Sequence, residues 1–184
     1  MSNAKAEVFL ATHILLNNLA TKYLPDYLST KWYGPYIGMS HGYRYEISES
    51  YKAGSETEGS EKPCPALQIG YQFLQSASHK LSLNYARTFA KYQTENEVEG
   101  YDTIDSLGVH FNIGLLALKA GWLNHAFSES ENRHDGGSYT CIGFDLYFGK
   151  SSFSMDLKDH YLEERKEHIA GGDIGLRYSF DNAN

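Results

Sequence analysis

No hydrophobic run in this 184-residue chain approaches the roughly 18 residues that a membrane-crossing helix requires. That absence removes helical membrane proteins. It leaves strand-built ones untouched, because a strand that meets lipid carries apolar residues only at every second position, which a mean hydropathy of −0.48 averages away. Cysteine is scarce as well: Cys64 and Cys141 are too few for a disulfide scaffold and have no metal-motif spacing. Both fall at inward strand positions near one end of the pattern described below; an oxidising compartment would permit their pairing, and two separate thiols are the preferred expectation. Basic charge is in short supply, with 16 Lys and Arg against 23 Asp and Glu, a formal charge of −7 that excludes a nucleic-acid partner needing a basic stripe. No signal peptide is visible, and Met1-Ser2-Asn3-Ala4 resembles a vector-derived scar, so a processed export product is expected. No cofactor motif is present.

What the chain does have is aromatics and glycine: 15 Tyr, nine Phe and 17 Gly, with only four Pro, a composition suited to sheet with aromatic girdles. Three parts are expected. Residues 1–30 hold the scar and a helical pattern over Ala6–Leu28, with Val8, Phe9, Leu10, Ile14, Leu15, Leu19 and Tyr23 at three- and four-residue steps before Pro25. This segment suits an interfacial amphipathic helix or a helix packed on a sheet. Residues 31–180 change to a period of two, and 181–184 form a short tail.

The alternation is plainest in Gly171–Phe180, where Ile174, Leu176, Tyr178 and Phe180 face away from Asp173, Gly175, Arg177 and Ser179. The same pattern predicts strands over Trp32–Ile47, Ala66–Leu74, Lys80–Tyr92, Asp105–Gly114, Leu118–Phe127, Tyr139–Phe148 and Phe153–His160, eight in all. Pro35 must sit near the start of the first, since a closed sheet offers no free edge. The Leu118–Phe127 strand is ambiguous: Leu118, Ala120 and Trp122 share a face with Asn124, opposite Lys119, Gly121, Leu123 and His125. His41 lands on an otherwise apolar face, and Arg87 does so near a strand end, where it would reach headgroups.

The connections supply an independent signal. Those after the first, third, fifth and seventh strands are long and hydrophilic, whereas QSASH, LLA and GKSS after the second, fourth and sixth are short. An up-and-down barrel sorts its connections this way, odd ones at one end and even ones at the other.

Residue size decides which face points inward. An eight-stranded barrel is only just wide enough for side chains, and the polar face here is rich in Gly, Ser, Asn and Gln, with the Lys and Glu of a water-facing surface held in the connections instead. The opposite face would be a large exposed patch in water but is what hydrocarbon requires. On this pattern, and on the terminal GLRYSF with its aromatic two positions before Phe180, the chain resembles the small outer-membrane barrels of Gram-negative bacteria, the group that includes the OmpA transmembrane domain, OmpX and Ail. The resemblance covers roughly 32–180. It departs at Asp181, Asn182, Ala183 and Asn184, which follow the Phe that usually ends such chains. The resemblance implies an all-β, eight-stranded antiparallel up-and-down transmembrane barrel in the bacterial outer membrane, and the residue pattern adds a short helical segment before it.

A polar lumen is expected to collect Arg44, His110, Lys119, His125, Asp145, Asp156, Lys158, Asp173 and Arg177, as paired charges in place of an apolar core. Porin activity does not fit so narrow a barrel. A structural or surface-interaction protein is expected, with loops meeting host, phage or lipopolysaccharide and the wall meeting outer-membrane lipid. Two other readings stay open. Some eight-stranded outer-membrane proteins are lipid A deacylases with a His-x-Ser-Asn motif; the nearest match is His125-Ala126-Phe127-Ser128, followed by Glu129, Glu131 and Asp135. Its spacing is one too long for His125 and Ser128 to share a strand face without a bulge. A soluble lipocalin-like binder of a hydrophobic ligand would need the apolar face turned inward. His79, His134 and His168 read as loop histidines without metal spacing, and the acidic GSETEGSEK run as a solvated loop where divalent cations could bridge lipopolysaccharide phosphates.

Overall fold

The structure is a computed structural model that describes residues 33–47, 62–75, 79–93, 99–127, 133–164 and 166–180. The expected Ala6–Leu28 helix, the 181–184 tail, Ser128, Glu129 and most of the long connections lie outside those residues. Eight strands follow one another: β1 (Gly34–Ile47), β2 (Lys62–Gln75), β3 (His79–Gln93), β4 (Glu99–Ile113), β5 (Leu116–Phe127), β6 (Arg133–Phe148), β7 (Ser151–Leu162) and β8 (Glu167–Ser179). Each pairs antiparallel with its neighbours, and β1 closes on β8 to make a barrel without an edge.

The pattern-predicted strands are all present, and most run longer than the alternation indicated. β2, β4, β6 and β8 all extend toward the long-connection end, β4 beginning at Glu99 and β6 at Arg133. The reason lies on the outer wall: from Asp105 on β4 and from Thr140 on β6 the outward positions are no longer apolar, passing to Thr103 on β4 and to Ser138, Gly136 and His134 on β6, so hydropathy stops alternating while the backbone ladder continues. Pro63 and Pro65, which gave no strand signal, sit where β2 pairs with β1 alone, its ladder with β3 starting at Ala66. A missing N–H is tolerated beside an unpaired stretch.

Register fixes the shape. From Ile37 the partners run through Ile69, Tyr85, Leu107, Trp122, Ser138, Tyr161 and His168, and the last of these pairs with Ile47, ten residues further along β1. A stagger of that size over eight strands corresponds to a tilt of about 40° and a backbone radius of about 8 Å. Each step around the barrel therefore climbs a little more than one residue. His41, paired with Pro65 and Ile174, stands level with Arg87 and Thr140 at the polar margin of the wall, which explains an imidazole on an apolar face.

The outward face is the greasy one. Ile37, Met39, Leu67, Ile69, Leu83, Leu107, Val109, Leu118, Met155, Leu157, Ile174 and Leu176 form a belt, each 39–62% exposed. At the short-turn end Tyr33, Tyr71, Phe73, Phe148, Tyr178 and Phe180 are exposed aromatics, with edge-on contacts between Tyr33 and Tyr71 and between Tyr178 and Phe180. Toward the other end Trp122 stands 72% exposed. Below it run apolar side chains; above it come Asn124 and the hydrogen-bonded Arg87–Asp105 and His168–Asp159 pairs. Such a wall suits a bilayer with aromatic and polar margins and would be an aggregation surface in water. A closed barrel with this exterior is built to span a lipid bilayer. The lipocalin-like alternative fails here, because it needed the apolar face inside.

β5 resolves likewise. Leu118, Trp122 and Asn124 point out, while Lys119, Leu123 and His125 are buried inside. Asn124 lies above the apolar belt, and Leu123 joins an internal cluster, so neither contradicts the alternation.

Candidate functional site

With lipid outside, the chain's chemistry is in the lumen, which is built in two layers. In the half nearer the short turns, β4 to β8 contribute one connected network. Asp145 of β6 is fully buried and accepts hydrogen bonds from Asn112 at 2.8 Å and the Tyr147 hydroxyl at 3.2 Å, with the Arg177 guanidinium 2.6 Å away. Lys119 donates to both oxygens of Asp156, at 2.7 and 2.6 Å, and lies 3.6 Å from Asp145. Arg177 also donates to the Ser152 hydroxyl at 3.1 Å, and Lys158 donates to Asp173. Three cations thus face three carboxylates. Isolated charges in this space would each cost several kcal/mol, and their pairing removes most of that cost.

The β1 to β3 wall supplies neutral groups. Asn84 donates to the Tyr36 hydroxyl at 2.9 Å and Gln68 to Ser40 at 3.1 Å. Tyr36 reaches over Gly70, where any Cβ would strike its ring; Tyr139 stands over Gly108 in the same way. Inward glycines and large rings are therefore paired halves of one packing solution.

The outer half of the lumen has an apolar centre. Ile104, Leu123, Tyr139, Leu162 and Ile169 form a buried cluster. Around it, His125 Nε2 lies 3.2 Å from Asp102, and Asp135 accepts the Glu164 backbone N–H at 3.0 Å. Beside the two layers a void of about 30 Å³, lined in part by Gly42, Cys64, Thr88, Lys158, His160 and Asp173, has room for a water molecule or so. Cys64 and Cys141 are both buried as thiols.

Of the residues expected inside, Lys119, Asp145, Asp156, Lys158, Asp173 and Arg177 come together in the network, and His110 is buried next to it, in register with Lys119. His125 is inside but belongs to the outer rim. The β1 backbone pairs Arg44 with Lys62 and Gly171; its side chain is outside the described part. With Ser128, Glu129 and Glu131 also outside, the deacylase-like constellation is represented by His125, held against Asp102, and by Asp135, its buried register partner on β6. Lys80 was missed: it is 3% exposed, with its ammonium 3.9 Å from the centre of the Tyr147 ring. Its parity with Ser82 and Asn84 was the available signal. Among the described residues no group of three His, Cys, Asp or Glu side chains could hold a metal ion.

No family model matches the chain, and no curated protein does. Solved structures do. The attachment invasion locus protein Ail of Yersinia pestis aligns with a TM-score of 0.52 at 14% identity over 80% of this chain and 99% of that one. Ail in complex with the heparin analogue sucrose octasulfate gives 0.51 at 10%, again over 80% and 99%. The N-terminal β-barrel domain of Pseudomonas aeruginosa OprF gives 0.44 at 16% over 78% and 97%. The shared property is the fold of a small eight-stranded outer-membrane barrel.

Proposed function

We propose that this protein is a non-enzymatic surface-interaction barrel, in which the wall and lumen serve as a rigid mount and the long connections make contact outside the cell. The observation that carries this reading is the filled lumen: an ion-pair layer backed by an apolar plug is built for stability rather than transport. Loops set on a rigid scaffold are where such proteins place recognition.

The charge of those connections narrows the ligand. Residues 48–61, 94–98, 128–132 and 163–166 carry ten glutamates against Lys52, Arg165 and Lys166. One Ail structure is a complex with a heparin analogue; a polyanion of that kind would be repelled by these loops. Cationic surfaces, or lipopolysaccharide phosphates bridged through divalent cations, fit instead. The test is binding of polylysine and of heparin to the barrel in nanodiscs, with and without the 48–61 and 128–132 segments replaced by short Gly-Ser turns. Polylysine binding that falls with salt and is lost in the loop-replaced form is expected; heparin binding, or polylysine binding indifferent to the loops, would overturn the reading.

A further inference from the structure

We propose that the outer wall of β6 to β8 holds one glycolipid of the outer leaflet, with a hydroxyl-rich headgroup in a polar pocket and an acyl chain in an apolar groove directly beneath. The pocket, about 360 Å³, is lined by Ser138, Thr140, Asp159, Tyr161 and His168. All five lie at outward positions on the membrane side of the barrel, not at the lumen. The groove, about 340 Å³, is lined in part by Ile142, Phe144, Met155, Leu157, Gly172 and Ile174.

The two are stacked on the same three strands. Along β6 the outward positions read Ser138, Thr140, Ile142, Phe144; along β7, Tyr161, Asp159, Leu157, Met155; along β8, His168, Ala170, Gly172, Ile174. On β6 and β7 polar gives way to apolar at one height, between Thr140 and Ile142 and between Asp159 and Leu157; on β8 it does so higher, after His168, and His41 of the neighbouring β1 lines the groove beside Ile174. The junction is open because Gly172 contributes no side chain to the wall. A Cβ placed there would meet only the Asp156 carbonyl at 3.3 Å and a Leu157 methyl at 3.5 Å.

Chemistry selects the headgroup. His168 Nδ1 pairs with Asp159 at 3.0 Å and its ring lies 5.0 Å from that of Tyr161, so carboxylate, imidazole and phenol form one fixed side of the pocket. Across from them Ser138 and Thr140 are exposed, and their hydroxyls make no hydrogen bond among the described residues. Carboxylate acceptor, two available hydroxyls and aromatic edges match the O–H groups and ring faces of a sugar. The Asp159 carboxylate works against a phosphodiester in the same place. This site depends on the barrel's place in the outer membrane and not on the loop reading above.

The test is native mass spectrometry of the detergent-released barrel after equilibration with equal amounts of a synthetic dialkyl lactoside and of phosphatidylglycerol bearing matched chains. One retained lactoside per barrel, favoured about fivefold, is expected from roughly one net hydrogen bond. The preference should drop to parity in Thr140→Val/Asp159→Asn. Gly172→Leu, which fills the junction, should reduce retention of the lactoside to the background level of phosphatidylglycerol. The unboiled-gel shift confirms that each variant is folded, and a variant that does not fold is replaced by Ser138→Ala/Thr140→Val, which leaves the Asp159–His168 pair in place. Equal retention of the two lipids by the unmodified barrel, or a preference that survives these substitutions, would overturn the proposal. Loop-replaced barrel should keep the preference, so failure here and failure of the loop reading are separable.

Discussion

Substituting Asp145→Asn tests whether the lumen is held by charge balance or merely by shape. Asparagine matches the carboxylate in size and keeps an oxygen for Asn112 and Tyr147, so packing is little altered. What changes is charge: Arg177 at 2.6 Å and Lys119 at 3.6 Å lose a common counter-ion in a site where all three side chains are at most 5% exposed. Breaking a buried pair from one side costs about 3–5 kcal/mol. At a slope of about 2 kcal/mol per M, the urea midpoint should fall by roughly 2 M. Asp145→Asn/Arg177→Met restores neutrality and should recover about half of that loss, a coupling visible in a double-mutant cycle. The wall provides the control. Arg87 and Asp105 make an equally close pair at 2.7 Å, but with 50% and 29% exposure, so Asp105→Asn should move the midpoint far less. The assay is the folded band on unboiled gels after urea equilibration in lipid vesicles, approached from both the folded and the unfolded side. If Asp145→Asn costs no more than Asp105→Asn, or the double variant equals the sum of its singles, the charge-balance account is wrong.

Two further outcomes follow from the packing and the wall. Gly70→Val forces a side chain into the Tyr36 ring and should cost about 1–3 kcal/mol in the same urea assay, with Gly70→Val/Tyr36→Leu recovering most of it; no recovery would refute the ring-over-glycine pairing. In a Trp32→Phe background, the fluorescence of Trp122, 72% exposed at the polar margin of the belt, should be quenched more by lipids brominated near the headgroup than by those brominated near the chain end. Stronger quenching by aqueous iodide than by either lipid would contradict the membrane-facing wall.

The alternation carried most of the fold because in this architecture each strand faces two solvents, and a period of two is the direct record of that. Gly171–Phe180 showed both faces in ten residues. The outer strand ends were less legible for a physical reason: beyond Asp105 and Thr140 both faces meet polar surroundings or plug, so backbone pairing leaves no hydropathic trace. Those same ends hold Ile104, Leu162 and Ile169, three of the five residues of the apolar plug, which is why a polar lumen was expected throughout and only half of it is polar. The charged residues themselves were readable by parity. Their pairing was not: that Lys119 of β5 meets Asp156 of β7 and Asp145 of β6 depends on the stagger of the barrel, which no single strand encodes.

This division explains how a chain 14% identical to Ail can share its fold. In a water-soluble protein the core is specified by burying apolar surface away from water, and individual residues matter through their volume. Here apolar side chains gain as much from lipid as from the interior, so hydrophobicity sorts faces without choosing partners. A sequence that keeps the period of two, the inward glycines opposite large rings and paired inward charges can close the same barrel. The partners inside can then change freely provided they change together, as the Asp145–Arg177 double substitution is expected to show. The outward positions above the belt take part in closure through their backbones only: the side chains of Ser138, Thr140, Asp159 and His168 face away from the lumen and its charge pairs. A polar pocket set there, over an apolar groove and beside loops of one charge, is where this barrel's individuality resides.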